Sequence, residues 1–166
     1  MEALTVWTFA TPQGAEAALP RIQRLAIEHE IVIADAAVVW WPPGSRKPSV
    51  RTLGSLVGPG MLWDGAWGVL LGLVFVVPIA GPVFGAAAGA FAGGLADFGV
   101  DDGFVKRTRD TVTAGTSALF AFSRESVARR ISDEFHDADP SVVRLSPEQA
   151  RRLREALGEE SRPSVA

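Results

Sequence analysis

The sequence predicts an α+β fold: a ferredoxin-like split βαβ sandwich with an inserted apolar glycine-zipper helical hairpin and a C-terminal helix. Three observations carry this. A strand, helix, strand pattern occurs near the start of the chain and recurs near its end. Between the two lie 32 consecutive residues, Gly65 to Ala96, without a charged side chain. Within that block glycines fall at 81, 85, 89 and 93, every fourth residue. Residues 1–53 and 113–166 are read as two halves of one ferredoxin-like domain, and 54–112 as the inserted hairpin plus a polar connecting helix.

Leu4-Thr5-Val6-Trp7-Thr8-Phe9-Ala10 is rich in β-branched and aromatic types and stops at Thr11-Pro12, which predicts a strand. From Gln13 to Glu28 the apolar residues Ala15, Ala18, Leu19, Ile22, Leu25 and Ala26 recur at helical spacing; Pro20 should kink that helix or start it afresh. Ile31 to Trp41 reads as a second strand, ended by Pro42-Pro43-Gly44.

The uncharged block divides at Pro78 and Pro82, predicting two helices and a short turn. The first, about Met61 to Val77, has no polar face and must be buried all round. The second, about Pro82 to Asp97, is built from Ala and Gly. Spacing by four puts Gly81, Gly85, Gly89 and Gly93 on one face, where the missing side chains let another backbone approach; Gly68 and Gly72 repeat the spacing in the first helix. Each helical glycine costs about 1 kcal/mol relative to alanine, so close packing must offset the row. We therefore expect these six glycines to mediate oligomerisation. Trp63, Asp64, Trp67 and Asp97 bracket the block and mark where it leaves apolar surroundings, as residues at a membrane boundary do. Each helix would be about 24–27 Å long at ~1.5 Å per residue, slightly short for a ~30 Å bilayer core.

After a polar helix over Asp101 to Val112, Ala118 to Phe122 reads as a strand. Val127, Ala128, Ile131 and Phe135 share a helical face, and Val142 to Leu145 supplies a fourth strand. Ser146-Pro147-Glu148-Gln149 has the form of a capping box opening a last helix with Ala150, Leu153 and Leu157 as its buried stripe.

Composition narrows the function classes. The chain has 166 residues, 48% hydrophobic and 21% charged, which suits one ordinary domain. A net charge of −3 leaves no cationic excess for phosphates, so no nucleic-acid partner is expected. The absence of cysteine removes disulfides, thiolate metal sites and a cysteine nucleophile, and fits the cytoplasm or the cytoplasmic face of the membrane. Met1-Glu2-Ala3-Leu4-Thr5 lacks the basic segment of a signal peptide and reads as mature structure.

The N-terminal strand and helix with Ala36-Ala37-Val38-Val39, the glycine-rich hairpin, Gly99-Val100-Asp101-Asp102-Gly103-Phe104-Val105-Lys106 and Gly115-Thr116-Ser117-Ala118-Leu119-Phe120 together resemble the bacterial family labelled domain of unknown function 1269. The resemblance spans about residues 4–158. It implies membrane association through the hairpin and supplies no activity or catalytic residue. Trp40-Trp41-Pro42-Pro43 departs from the charged residues more usual there.

No nucleotide or serine-hydrolase motif occurs. His29 and His136 each stand alone near a helix end. Asp97, Asp101 and Asp102 could together hold a divalent cation, but Asp101 reads more simply as a helix cap. No catalytic residue, metal or cofactor is therefore expected. The expected function is a non-enzymatic, self-associating protein whose hairpin sits at or in the membrane. The alternative is a soluble homo-oligomeric ligand-binding or sensor module, with hairpins as the oligomer core and the sheet or the Trp40-Trp41 edge holding a small molecule of unknown identity.

Overall fold

The computed structural model describes residues 1–29, 32–52, 71, 74–75 and 98–158. In chain order they form β1 (Glu2–Phe9), α1 (Gly14–His29), β2 (Ile33–Trp40), β3 (Ser49–Thr52), α2 (Asp102–Thr111), β4 (Ser117–Arg124), α3 (Glu125–Glu134), β5 (Asp139–Leu145) and α4 (Pro147–Gly158). The fold is α+β, with five strands in one antiparallel sheet of order β3-β2-β4-β1-β5. Because β4 runs antiparallel to both β1 and β2, those two are parallel to each other and β4 fills the gap between them.

Four strands are expected from the sequence, and β3 is a fifth. Its Ser49-Val50-Arg51-Thr52 offers one apolar side chain, too little for an alternating pattern; pairing of Val50 with Val39 on β2 makes it a strand. β5 also starts earlier than its apolar run, at Asp139, and passes through Pro140. It pairs only with β1, and an edge strand tolerates a residue without an amide hydrogen. α1 runs through the exposed Pro20 as one continuous helix and does not restart there.

The central strand explains the two-sided core. Every residue of β4 from Ser117 to Ser123 is buried, as a strand flanked on both edges and both faces must be. On one face Trp7, Phe9, Val38, Leu119 and Ala121 meet Ala15, Ala18, Ile22 and Leu25 of α1 and Ala128 and Ile131 of α3. On the other, Leu4, Val6, Val39, Phe120 and Phe122 meet Phe104 and Val105 of α2, Ala150 and Leu153 of α4, and Leu71, Val74 and Phe75. The side chain of Leu157 lies outside the described ones.

Local signals fix the helix ends. Ser146 Oγ accepts from Gln149 N at 3.2 Å and Ser146 N donates to Gln149 Oε1 at 2.9 Å, the reciprocal bonds of the capping box. Asp101 Oδ1 accepts from Phe104 N at 2.6 Å and so caps α2. Arg21 joins α1 to the end of α3: it donates to the Glu134 carbonyl, pairs with Asp137 at 3.3 Å and lies 4.7 Å from the centre of the Phe135 ring.

Thr5 Oγ1, on β1 between Ala121 and Val142, is buried without a hydrogen-bond partner among the described residues. Thr5→Val keeps the shape and removes the orphaned hydroxyl. We expect it to raise stability by about 1 kcal/mol in urea denaturation; a loss of stability would mean the hydroxyl is satisfied after all.

Candidate functional site

Leu71, Val74 and Phe75 are helical and buried, and their spacing of three and four puts them on one stripe. That stripe lies against the sheet. Phe75 meets Trp41 and Phe120 edge to face, with ring centres 6.3 and 6.5 Å apart, and Arg109 Nε donates to the Val74 carbonyl. These three residues of the uncharged block therefore complete the core of their own domain. The proposed association glycines Gly68, Gly72, Gly81, Gly85, Gly89 and Gly93, and the boundary residues Trp63, Asp64, Trp67 and Asp97, lie outside the described residues. No helix among the described residues is long and apolar enough to cross a membrane.

The remaining sequence features separate in space. Trp40 packs with the α1 side of the sheet and Trp41 with the opposite side, because successive residues along a strand face opposite ways. The two indoles do not form one edge. Asp101 serves α2 as its cap, Asp102 opens that helix, and Asp97 is not described, so the three aspartates are not seen to converge. His136 is exposed in the turn after α3, and the His29 side chain is not described. Among the described residues no three His, Cys, Asp or Glu side chains are grouped to hold a metal.

A groove of about 310 Å³ lies between α3 and the edge strand β5, lined by Glu125, Ala128, Arg129, Ser132, Val142 and Arg144. Ser132 in its lining is held by Trp7, whose Nε1 donates to Ser132 Oγ at 2.9 Å. Its charges answer one another: Glu125 Oε1 takes Arg144 Nε at 2.9 Å and Arg129 Nη2 at 3.6 Å. The hydrogen bond from Arg144, with the charges of Arg144 and Arg129, holds the Glu125 carboxyl below its ordinary value of 4.5 against partial desolvation. A depressed carboxyl stabilises the fold above its unfolded value and loses that contribution as pH falls through the folded one. The stability gap between the native protein and Glu125→Gln should thus be constant above about pH 5 and shrink below pH 4. Denaturant titrations at pH 7, 4 and 3 check this; a gap that widens on acidification would refute it.

The i, i+4 relation of Glu125 and Arg129 is readable in the sequence, whereas Arg144 reaches them from another element. The contact of Arg109 with Val74 likewise has no local signal.

The two glycine-led segments have structural tasks. Gly99 has φ +81°, and the segment after it supplies the α2 cap and the buried Phe104 and Val105. Gly115 has φ +89° and donates to the Trp41 carbonyl at 2.7 Å. Ser117, fully buried, accepts from Ala15 N at 2.9 Å and donates to the Thr11 carbonyl at 2.6 Å, which ties the start of α1 to β4. Both segments fall within residues 61–158, the stretch matched by the model of a family described as Protein of unknown function (DUF1269). The chain belongs to the DUF1269 family. The match begins at Met61, so β1, α1, β2 and β3 of this DUF1269 protein stand outside it. Comparisons with curated proteins and with solved structures give no match.

Proposed function

We propose that this DUF1269 protein is a non-enzymatic, self-associating module: a ferredoxin-like domain that carries a glycine-zipper hairpin between β3 and α2. The strand order β2-β4-β1-β5, with α1 and α3 on one face, supports the ferredoxin-like reading. The observation that carries the functional reading is the buried stripe Leu71, Val74 and Phe75. One stripe of the first apolar segment is used by the domain itself. The rest of the 32-residue block is equally uncharged, and in this reading it takes a second cover. A row of glycines at spacing four suits close approach of another backbone, and a second copy of the chain presents the same row.

The second reading places that cover in lipid at the cytoplasmic face of a membrane, and the length of the uncharged block favours it. Carbonate washing of cell membranes, followed by light scattering on the fraction that holds the protein, separates the two. The first reading expects carbonate-released protein at a multiple of 17.6 kDa, falling to 17.6 kDa in the Gly85→Leu, Gly89→Leu double variant. Retention in the washed membrane selects the second reading. A native protein that is released and weighs 17.6 kDa overturns both.

A further inference from the structure

α3 packs chiefly over β1 and β4, so the face of β5 beside it is left open. Val142 stands there 41% exposed, whereas Val143, which points to the opposite face, is buried. With Ala128 of α3 it gives the groove between α3 and β5 an apolar wall. At about 310 Å³ that groove is at the small end of the range for ligand sites. Its charges do not cancel. One carboxylate, Glu125, serves two guanidiniums through the same oxygen, Oε1: Arg144 reaches it through Nε at 2.9 Å, and Arg129 stands 3.6 Å away. Neither arginine has another ion-pair or hydrogen-bond partner among the described residues. The two Nη atoms of Arg144, and one of the two positive charges, are thus left over. Two planar N–H groups side by side match the two oxygens of a carboxylate.

We propose that this groove binds a small monocarboxylate with an apolar body, its chain along Ala128 and Val142 and its carboxylate on Arg144 and Arg129. Glu125 holds the same guanidiniums and therefore competes with the ligand. Ser132 is no part of the recognition, because its hydroxyl already accepts from Trp7 and donates to the Ala128 carbonyl. The site lies wholly on α3 and β5 and does not depend on self-association.

Titration of the full-length protein with hexanoate at constant ionic strength, followed through the methyl signals of Val142 and Ala128 in carbon–proton spectra, tests this. Saturable shifts at both methyls are expected. At equal concentration hexan-1-ol, which has the chain without the charge, and acetate, which has the charge without the chain, should give less than about a tenth of the response. Arg144→Met should weaken hexanoate binding about tenfold. Glu125→Gln should tighten it about threefold, because the competing carboxylate is gone; an ion-pair network with only a structural task would give no gain. If Arg144→Met loses the native amide signals of β4, Arg129→Met takes its place, with an expected weakening of about threefold. No saturation by about 100 mM hexanoate, equal responses to hexanoate and hexan-1-ol, shifts that miss Val142 and Ala128, or a Glu125→Gln variant that binds no tighter would each overturn the proposal.

Discussion

Phe120→Ala should destabilise the protein by about 3–5 kcal/mol in guanidinium denaturation. Phe120 is fully buried on the central strand, pairs with Val6 on one side and Ala37 on the other, and holds Phe75 edge to face. Truncation removes the transfer energy of the ring and leaves a cavity at the junction of sheet and apolar stripe. Because both neighbouring strands are fixed by their ladders, collapse around the site is small, which places the loss in the upper part of the range. The loss should also raise hydrogen exchange around Leu71 to Phe75 before the sheet is affected. A cost below 1 kcal/mol would show that this face of the sheet is loosely packed.

Gly99→Ala is the second large effect, about 2–4 kcal/mol, and it has two sources. At φ +81° any side chain is strained by about 1 kcal/mol. The added Cβ would stand 2.4 Å from Leu145 Cδ2 and 3.1 Å from Gln149 Oε1. Leu145 is 1% exposed and cannot swing aside, and Gln149 is held by the capping box of α4. The substitution therefore overpacks the core and loosens α4 together. Thermal unfolding of Gly99→Ala, beside Gly115→Ala as a site of similar φ whose nearest neighbour is 4.0 Å away, separates crowding from backbone strain. Equal losses in the two would assign the whole effect to strain.

Local chemistry accounts for what the sequence made legible. Ser146 and Gln149 lie within one turn of each other, as do Asp101 and Phe104, so the caps could be placed by spacing alone. Apolar runs rich in β-branched and aromatic residues located β1, β2 and β4, and helical spacing or a capping residue located the four described helices. What escaped was set by distant partners. β3 exists because β2 offers it an edge, and Arg144 meets Glu125 only after β5 has returned beside β1. Trp40 and Trp41 look like one aromatic edge when written side by side, and the pleat sends them to opposite cores. The aspartate that could be assigned, Asp101, was the one with a local partner.

The register of β1 against β4 dictates an order of events during synthesis. Glu2 finds its partner at Arg124, and Phe9 finds its partner at Ser117. The sheet consequently cannot close until nearly three quarters of the chain has left the ribosome. The uncharged block, Gly65 to Ala96, is translated before the strand carrying Phe120, against which Phe75 packs. For the time needed to make the intervening residues the nascent chain holds Leu71, Val74 and Phe75 without the strand that helps to bury them. Translation speed across residues 97–124, and whatever chaperone meets the chain there, should thus control the yield of folded protein more than the stability of the finished molecule does.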